Sequence, residues 1–180
     1  WFSLTVSYRG HHLHGNQAGS LINVDRAFSL GVAGGWQSWR EGLGLFRFGG
    51  GVAVTSNHLG FDGHLDAGLA KQLPASGSAN SWLSIGVLLR GNIGRGNLVP
   101  DEEWGQAFDD AAYAGFEAMG VLYGRFGKGF DLLGGCGFSG AHYFFPGEDQ
   151  FSPNLACTVQ AGARFGLNSR HRGGEARANR

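Results

Sequence analysis

The feature that most constrains this chain is an alternation. Residues 1 to 8 read WFSLTVSY. Phe2, Leu4, Val6 and Tyr8 are large and apolar, and Ser3, Thr5 and Ser7 between them are small and polar. A period of two puts each set on one face of a β-strand. Seven further segments repeat the pattern. Their apolar sets are Ile22, Val24, Phe28, Leu30, Val32; Phe46, Phe48, Val52, Val54; Phe61, Leu65, Ala67, Leu69; and Leu83, Ile85, Val87, Leu89. The last three are Ala112, Ala114, Phe116, Ala118, Leu122, Phe126; Phe130, Leu132, Cys136, Phe138; and Leu155, Cys157, Val159, Ala161, Ala163, Phe165. Helix competes only over DDAAYAGFEAMGVLYG, where Asp109 or Asp110 would cap it. Gly115, Gly120 and Gly124 inside it each cost about 1 kcal/mol relative to Ala, so strand is expected.

What the apolar face touches is decided by the other face. A soluble sandwich turns its polar face to bulk water and is rich there in Lys and Glu. Here that face is mostly Gly, Ser, Ala and Thr. Its charges nearly balance: Asp25, Asp62, Asp66, Glu117 and Asp131 against Arg47, Arg90, Arg125 and Arg164. The only lysines are Lys71 and Lys128, both near strand ends. Glycine reaches 34 of 180 residues, against a usual share of about 7%. Small residues and paired charges suit the inside of a narrow closed barrel, where an isolated charge is very costly. The apolar face then suits hydrocarbon, because closing the sheet satisfies every backbone polar group. The expected fold is all-β: a closed antiparallel up-and-down transmembrane barrel of about eight strands.

Other classes are excluded by composition. The formal net charge is zero and no basic stripe is interleaved with aromatics, so nucleic acid is not an expected partner. No run of about 18 apolar residues exists, so no helix crosses a membrane. The chain opens directly in a strand; a leader has been removed or the numbering begins with the mature protein. Residues 1–167 are expected to form the barrel and 168–180, NSRHRGGEARANR in context, a basic disordered tail.

In these alternating segments the chain resembles the small eight-stranded outer-membrane barrels of Gram-negative bacteria, the OmpA/OmpX-like class, over residues 1 to about 167. The resemblance implies location in the outer membrane of a Gram-negative bacterium, with membrane lipid or lipopolysaccharide around the barrel. It implies external loops at the first, fifth and seventh connections, RGHHLHGNQAG, GNIGRGNLVPDEEWGQAFDD and PGEDQFSP, and a periplasmic turn at FGKG. The second connection, GGWQSWREGLG, is expected to be long. Arg26 falls on the lipid-facing parity of its strand; a rim position or a β-bulge there would account for it. Lipid A-modifying barrels also exist, but the His-x-Ser arrangement of the deacylases is absent here.

Candidate chemistry is sparse. His11, His12 and His14 lie in the first expected loop and are the weak candidates for a metal site; otherwise no metal and no cofactor are expected. Asp62, His64 and Asp66 share one strand face, as an acid/base pair would, but a structural polar network is the commoner use of such a face. GNIGRGN follows a strand yet lacks GK[ST] and a helix after it, so it reads as a surface loop. Cys136 and Cys157 are expected as free thiols, because a hairpin centred near Asp149 would place residue 157 opposite residue 141.

The resulting expectation is a filled, non-conducting barrel. Its lumen network comprises Asp25, Arg47, Asp62, His64, Asp66, Arg90, Glu117, Arg125, Asp131 and Arg164, with Tyr113 and Tyr123 helping to plug it. Its role is structural, anchoring or binding, as a subunit of an envelope complex. The alternatives are an envelope-lipid-modifying enzyme and a soluble lipocalin-like ligand-binding barrel. Small residues at Ala112, Ala114, Ala118, Gly120, Gly124, Gly134, Gly140, Ala161 and Ala163 mark an expected docking face for a second copy or another membrane protein.

Overall fold

A computed structural model describes residues 1–14, 21–40, 44–55, 60–73, 83–96, 111–126, 129–145 and 148–165, with side chains described at all of these except 9–14, 21–27, 39–40, 96, 111, 145, 148–150 and 152. Eight strands follow one another: β1 (Phe2–His14), β2 (Leu21–Arg40), β3 (Gly44–Thr55), β4 (Phe61–Gln72), β5 (Leu83–Gly96), β6 (Ala111–Phe126), β7 (Phe130–Phe145) and β8 (Glu148–Ala163). Each pairs antiparallel with the next, and β8 pairs with β1, so the sheet closes into a barrel in sequence order. The segment 111–126 is strand and not helix, as its three interior glycines require.

The register fixes how narrow the barrel is. Val6 faces Leu30, Leu30 faces Val54, Val54 faces Phe61, and Phe61 faces Arg95. Arg95 faces Ala112, Ala112 faces Phe144, and Phe144 faces Asp149. On the β1–β8 register, where Phe2 faces Ala163, Asp149 falls level with residue 16. One circuit therefore advances from 6 to 16, a stagger of about ten residues over eight strands. That stagger tilts the strands by about 40° and leaves an interior just wide enough for side chains.

Parity then sorts the residues. Ser3, Thr5, Arg47, Asp62, His64, Asp66, Arg90, Glu117, Thr158 and Gln160 are buried inside. Phe2, Leu4, Val6, Leu65, Leu69, Val87, Leu89 and Val159 stand outside, each about half or more exposed. The lumen is not uniformly polar. Leu45, Ala70, Leu88, Met119, Val121, Tyr123 and Leu133 form an apolar cluster within it. The alternation had suggested no such cluster.

Several expectations need correction. The strands run well past the segments that alternate cleanly. GGWQSWREGLG is not a long connection: β2 and β3 pair through Arg40 and Gly44, which leaves residues 41–43 between them. Gly44 has φ +97°, a conformation that a side chain resists. The backbone of His11, His12 and His14 lies in β1, in register with Val24, Asn23 and Leu21, and not in a loop; their side chains lie outside the described set. The β1–β2 register shifts between Arg9↔Ala27 and His11↔Val24, leaving Asp25 and Arg26 opposite Gly10, which is a β-bulge at the residue that broke parity.

The free-thiol expectation is overturned. Cys136 and Cys157 form a disulfide. Phe145 faces Glu148, so the β7–β8 turn is at residues 146–147, not near Asp149. Moving the turn centre back brings residue 157 opposite residue 136. The proposed tail, 168–180, lies outside the described residues.

Inward and outward glycines differ in the room they leave for a side chain. A Cβ on Gly51 would press hardest on the backbone carbonyl oxygen of Val32 and sit 2.8 Å from both the Ala33 Cβ and the His64 Cε1, whereas one on Gly134 would meet nothing within 4 Å. Gly51→Val is expected to destabilise the barrel by about 1–3 kcal/mol through overpacking, and Gly134→Val to be neutral or stabilising. Equilibrium urea titration of the two variants checks this.

Candidate functional site

Most of the described charged residues converge on the lumen, in two clusters; Lys71 and Arg95 are exposed instead. The first lies toward the end of the barrel carrying connections 15–20, 56–60, 97–110 and 146–147. At its centre Arg90 of β5 reaches Asp66 of β4, donating from Nε to Oδ1 at 2.7 Å and from Nη2 to Oδ2 at 3.2 Å. Arg90 Nη1 donates to Ser7 Oγ of β1 at 3.3 Å and lies 3.6 Å from Glu117 Oε2 of β6. Asn92 donates to Glu117 Oε1 at 3.0 Å. Ser7 and Thr158 of β8 share a hydroxyl hydrogen bond at 3.0 Å.

Gln160 extends this cluster across the lumen. Its amide donates to Asp66 Oδ2 at 3.3 Å, and its carbonyl accepts from Arg47 Nη2 of β3. The Arg47 guanidinium also stacks 3.5 Å over the Trp1 ring, a cation–π contact inside the barrel. Above, Tyr113 donates its hydroxyl to Asp62 Oδ2 at 3.0 Å. His64 lies between two carboxylates, with Nδ1 3.7 Å from Asp62 Oδ1 and Nε2 4.0 Å from Asp66 Oδ2.

The second cluster sits at the opposite end, around Asp131 of β7. Tyr123 of β6 donates its hydroxyl to Asp131 Oδ2, and Gln37 of β2 donates to the same oxygen at 3.1 Å. Arg164 Nε lies 2.8 Å from Asp131 Oδ1, and Arg125 faces Asp131 directly across the β6–β7 ladder. Every strand thus lends at least one side chain to the two clusters. That is what a tube lacking an ordinary apolar core needs to hold its wall together.

Of the ten residues expected in the lumen network, nine are described, and each of them lies in one of these two clusters. The Asp25 side chain lies outside the described set. Sequence reading missed Asn92, which fell in a stretch taken for a loop, and the buried Tyr143, which lay past the assumed end of its strand; it gave no role to Gln37, which fell in the expected second connection, or to Gln160. Gln160 sits on the small, polar face of its strand, between Thr158 and Gly162, and that was the available signal.

Chemically, the arrangement is a brace. Arg47, Arg90, Asp62, Asp66, Glu117 and His64 are all buried, and the carboxylates are already committed to Arg90, Tyr113, Asn92 and Gln160. A cavity beside Trp1, Ser3, Arg47 and Asp131 measures about 10 Å³, the room of about one water. Among the described residues no cluster of three or more His, Cys, Asp or Glu is placed to hold a metal ion.

On the outer wall, Ala112, Ala118 and Gly120 are exposed, while Ala114, Gly134, Ala161 and Ala163 are partly exposed. Gly124 and Gly140 are buried, Gly140 beneath the rings of Phe116 and Phe151. These small residues alternate with bulky ones, including Leu122, Phe138 and Leu155, rather than forming an unbroken strip.

Removing one member of a buried pair strands the other. Arg90→Met is expected to cost about 3–5 kcal/mol, because Asp66 and Glu117 lose their common cation. Arg164→Met, at the rim where its pair with Asp131 is partly exposed, should cost about 1–2 kcal/mol. Urea unfolding of both variants measures the difference. As for kinship, neither family models, nor curated proteins, nor solved structures give any match to this chain.

Proposed function

We propose that this chain is a barrel of the Gram-negative outer membrane with a filled, non-conducting lumen, serving as an anchoring or binding subunit of the envelope. One observation carries the reading: the whole circumference is apolar on the outside. Among the described residues 28 large apolar side chains are exposed, on every strand. A soluble monomer seldom exposes more than a few hundred Å² of contiguous apolar surface. Here the two described outward-facing charges, Lys71 and Arg95, lie toward opposite ends of the wall. Between them β4 offers the run Phe61 to Leu69 and β5 the run Ile85 to Ile93, ~9 residues apiece, close to the roughly 9–11 that a tilted membrane strand needs.

The interior argues in the same direction. A lipocalin-like barrel keeps an apolar cavity for its ligand and a wettable outside. This barrel has both the other way round. Among the described residues Arg90 and Arg164 engage carboxylates and Arg47 engages Gln160 and Trp1, which argues against a ligand chamber or a path for ions. The disulfide fits an oxidising compartment. Lipid or lipopolysaccharide is then the immediate partner of the wall, and a second copy or another membrane protein is the partner its anchoring role calls for.

Purified chain is expected to require detergent for solubility, to float with phospholipid vesicles, and to give no steady conductance in a planar bilayer. A monodisperse species in detergent-free buffer would overturn the membrane reading. Reproducible single-channel steps would overturn the filled lumen.

A further inference from the structure

The disulfide stands on the outer wall, where the reading just proposed puts hydrocarbon. Cys136 is exposed and Cys157 partly so. Their outward neighbours along the strands are Gly134 and Phe138 on β7, and Leu155 and Val159 on β8. The pair lies six residues from Phe130, where β7 begins, and so well inside the apolar band. Among the described residues none shields Cys136 from the outside.

Thiol–disulfide exchange proceeds through a thiolate. A thiolate is an anion, and hydrocarbon excludes isolated anions. Glutathione and protein oxidants are also charged, and they stay in water. A bond in this position is therefore neither made nor broken by aqueous reagents once the wall is in lipid. Resting on the membrane reading, we infer that Cys136 and Cys157 are oxidised on the aqueous side, before the barrel enters the bilayer. The reaction is exchange with a soluble disulfide-bearing oxidant, acting on a chain whose β7–β8 hairpin has formed and whose barrel has not closed.

The topology allows that order. The two cysteines are 21 residues apart and face each other across a hairpin whose turn occupies residues 146–147. Pairing them needs only that local hairpin, and none of the β1–β8 closure. In the first step the Cys136 thiolate attacks the oxidant's disulfide, forming a mixed disulfide and releasing one oxidant thiolate. In the second the Cys157 thiolate attacks the Cys136 sulfur and releases the other. The protein gives up two electrons and two protons, and the oxidant's disulfide becomes two thiols. The hairpin thus enters the membrane already cross-linked, next to the seam where β8 meets β1.

The test reads exchange at two depths. Full-length chain, reduced or oxidised, is folded into dilauroyl phosphatidylcholine vesicles and insertion is verified by flotation. Glutathione disulfide or reduced glutathione is added, and thiols are trapped over time with a maleimide that shifts the protein on a gel. The native pair is expected to exchange at least ~100-fold more slowly in vesicles than in urea. A second chain carries Cys136→Ser and Cys157→Ser with Phe130→Cys and Ala163→Cys. Those two positions also face each other across β7 and β8, at the end of the wall. Its pair should exchange within about tenfold of the unfolded rate. If the inserted native pair exchanges as fast as the unfolded chain, the inference fails and the membrane reading stands; that comparison needs no variant. If the chain instead folds in buffer without lipid and its exposed bond exchanges freely, the membrane reading itself has failed.

Discussion

Arg90 shows what the rest of the barrel depends on, which is the neutralisation of charge inside a narrow tube filled mostly by side chains. Eight strands staggered by about ten residues enclose little more than side chains. A guanidinium there must find carboxylates, and a carboxylate must find donors. Arg90 serves Asp66, Glu117 and Ser7 together, which join β4, β6 and β1 to β5. The network takes over the role that an apolar core has in a soluble domain. Where it thins, toward Leu88, Met119 and Leu133, an apolar cluster fills the lumen instead.

The same narrowness explains the glycine content. An inward Cβ at Gly51 would press on Ala33 and on His64, so the lumen charges and the glycines around them are a single solution to one volume constraint. Small residues clear the space that large polar side chains then occupy. Glycine at such positions weakens a strand on its own, and the closed hydrogen-bond ladder with its cross-lumen braces compensates.

Much of this was legible in the sequence because a barrel wall repeats one rule. Alternation identifies strands and faces, and near-matched charge on the small-residue face identifies a lumen. What was not legible has a common cause: parity reports faces, but not where a strand ends or where a turn is centred. Asn92 and Tyr143 were lost because the stretches holding them read as loops or lay past the assumed strand end, although the ladder continues through both. The bulge sets Asp25 and Arg26 of β2 against the single residue Gly10 of β1, so a rule of strict alternation must fail there. The cysteines show how sharp the dependence is. Placing the turn near residue 149 rather than at 146–147 shifts each opposed pair by several residues, and a disulfide becomes two distant thiols.

An inside-out distribution of polarity also decides where recognition takes place. The described lumen carboxylates are buried and engaged by Arg90 and Arg164 or by hydroxyl and amide donors. The wall presents methyl groups and aromatic rings, which distinguish partners by shape and not by charge. Directional polar recognition is left to the two rims. They are unequal: one carries connections 15–20, 56–60, 97–110 and 146–147, and the other carries 41–43, 73–82 and 127–129. A fourteen-residue segment between β5 and β6 is the longest of these. It includes the acidic run Asp101, Glu102 and Glu103, followed by Trp104. In the anchoring role proposed above, the closed ladder of eight strands is the rigid scaffold from which connecting segments project.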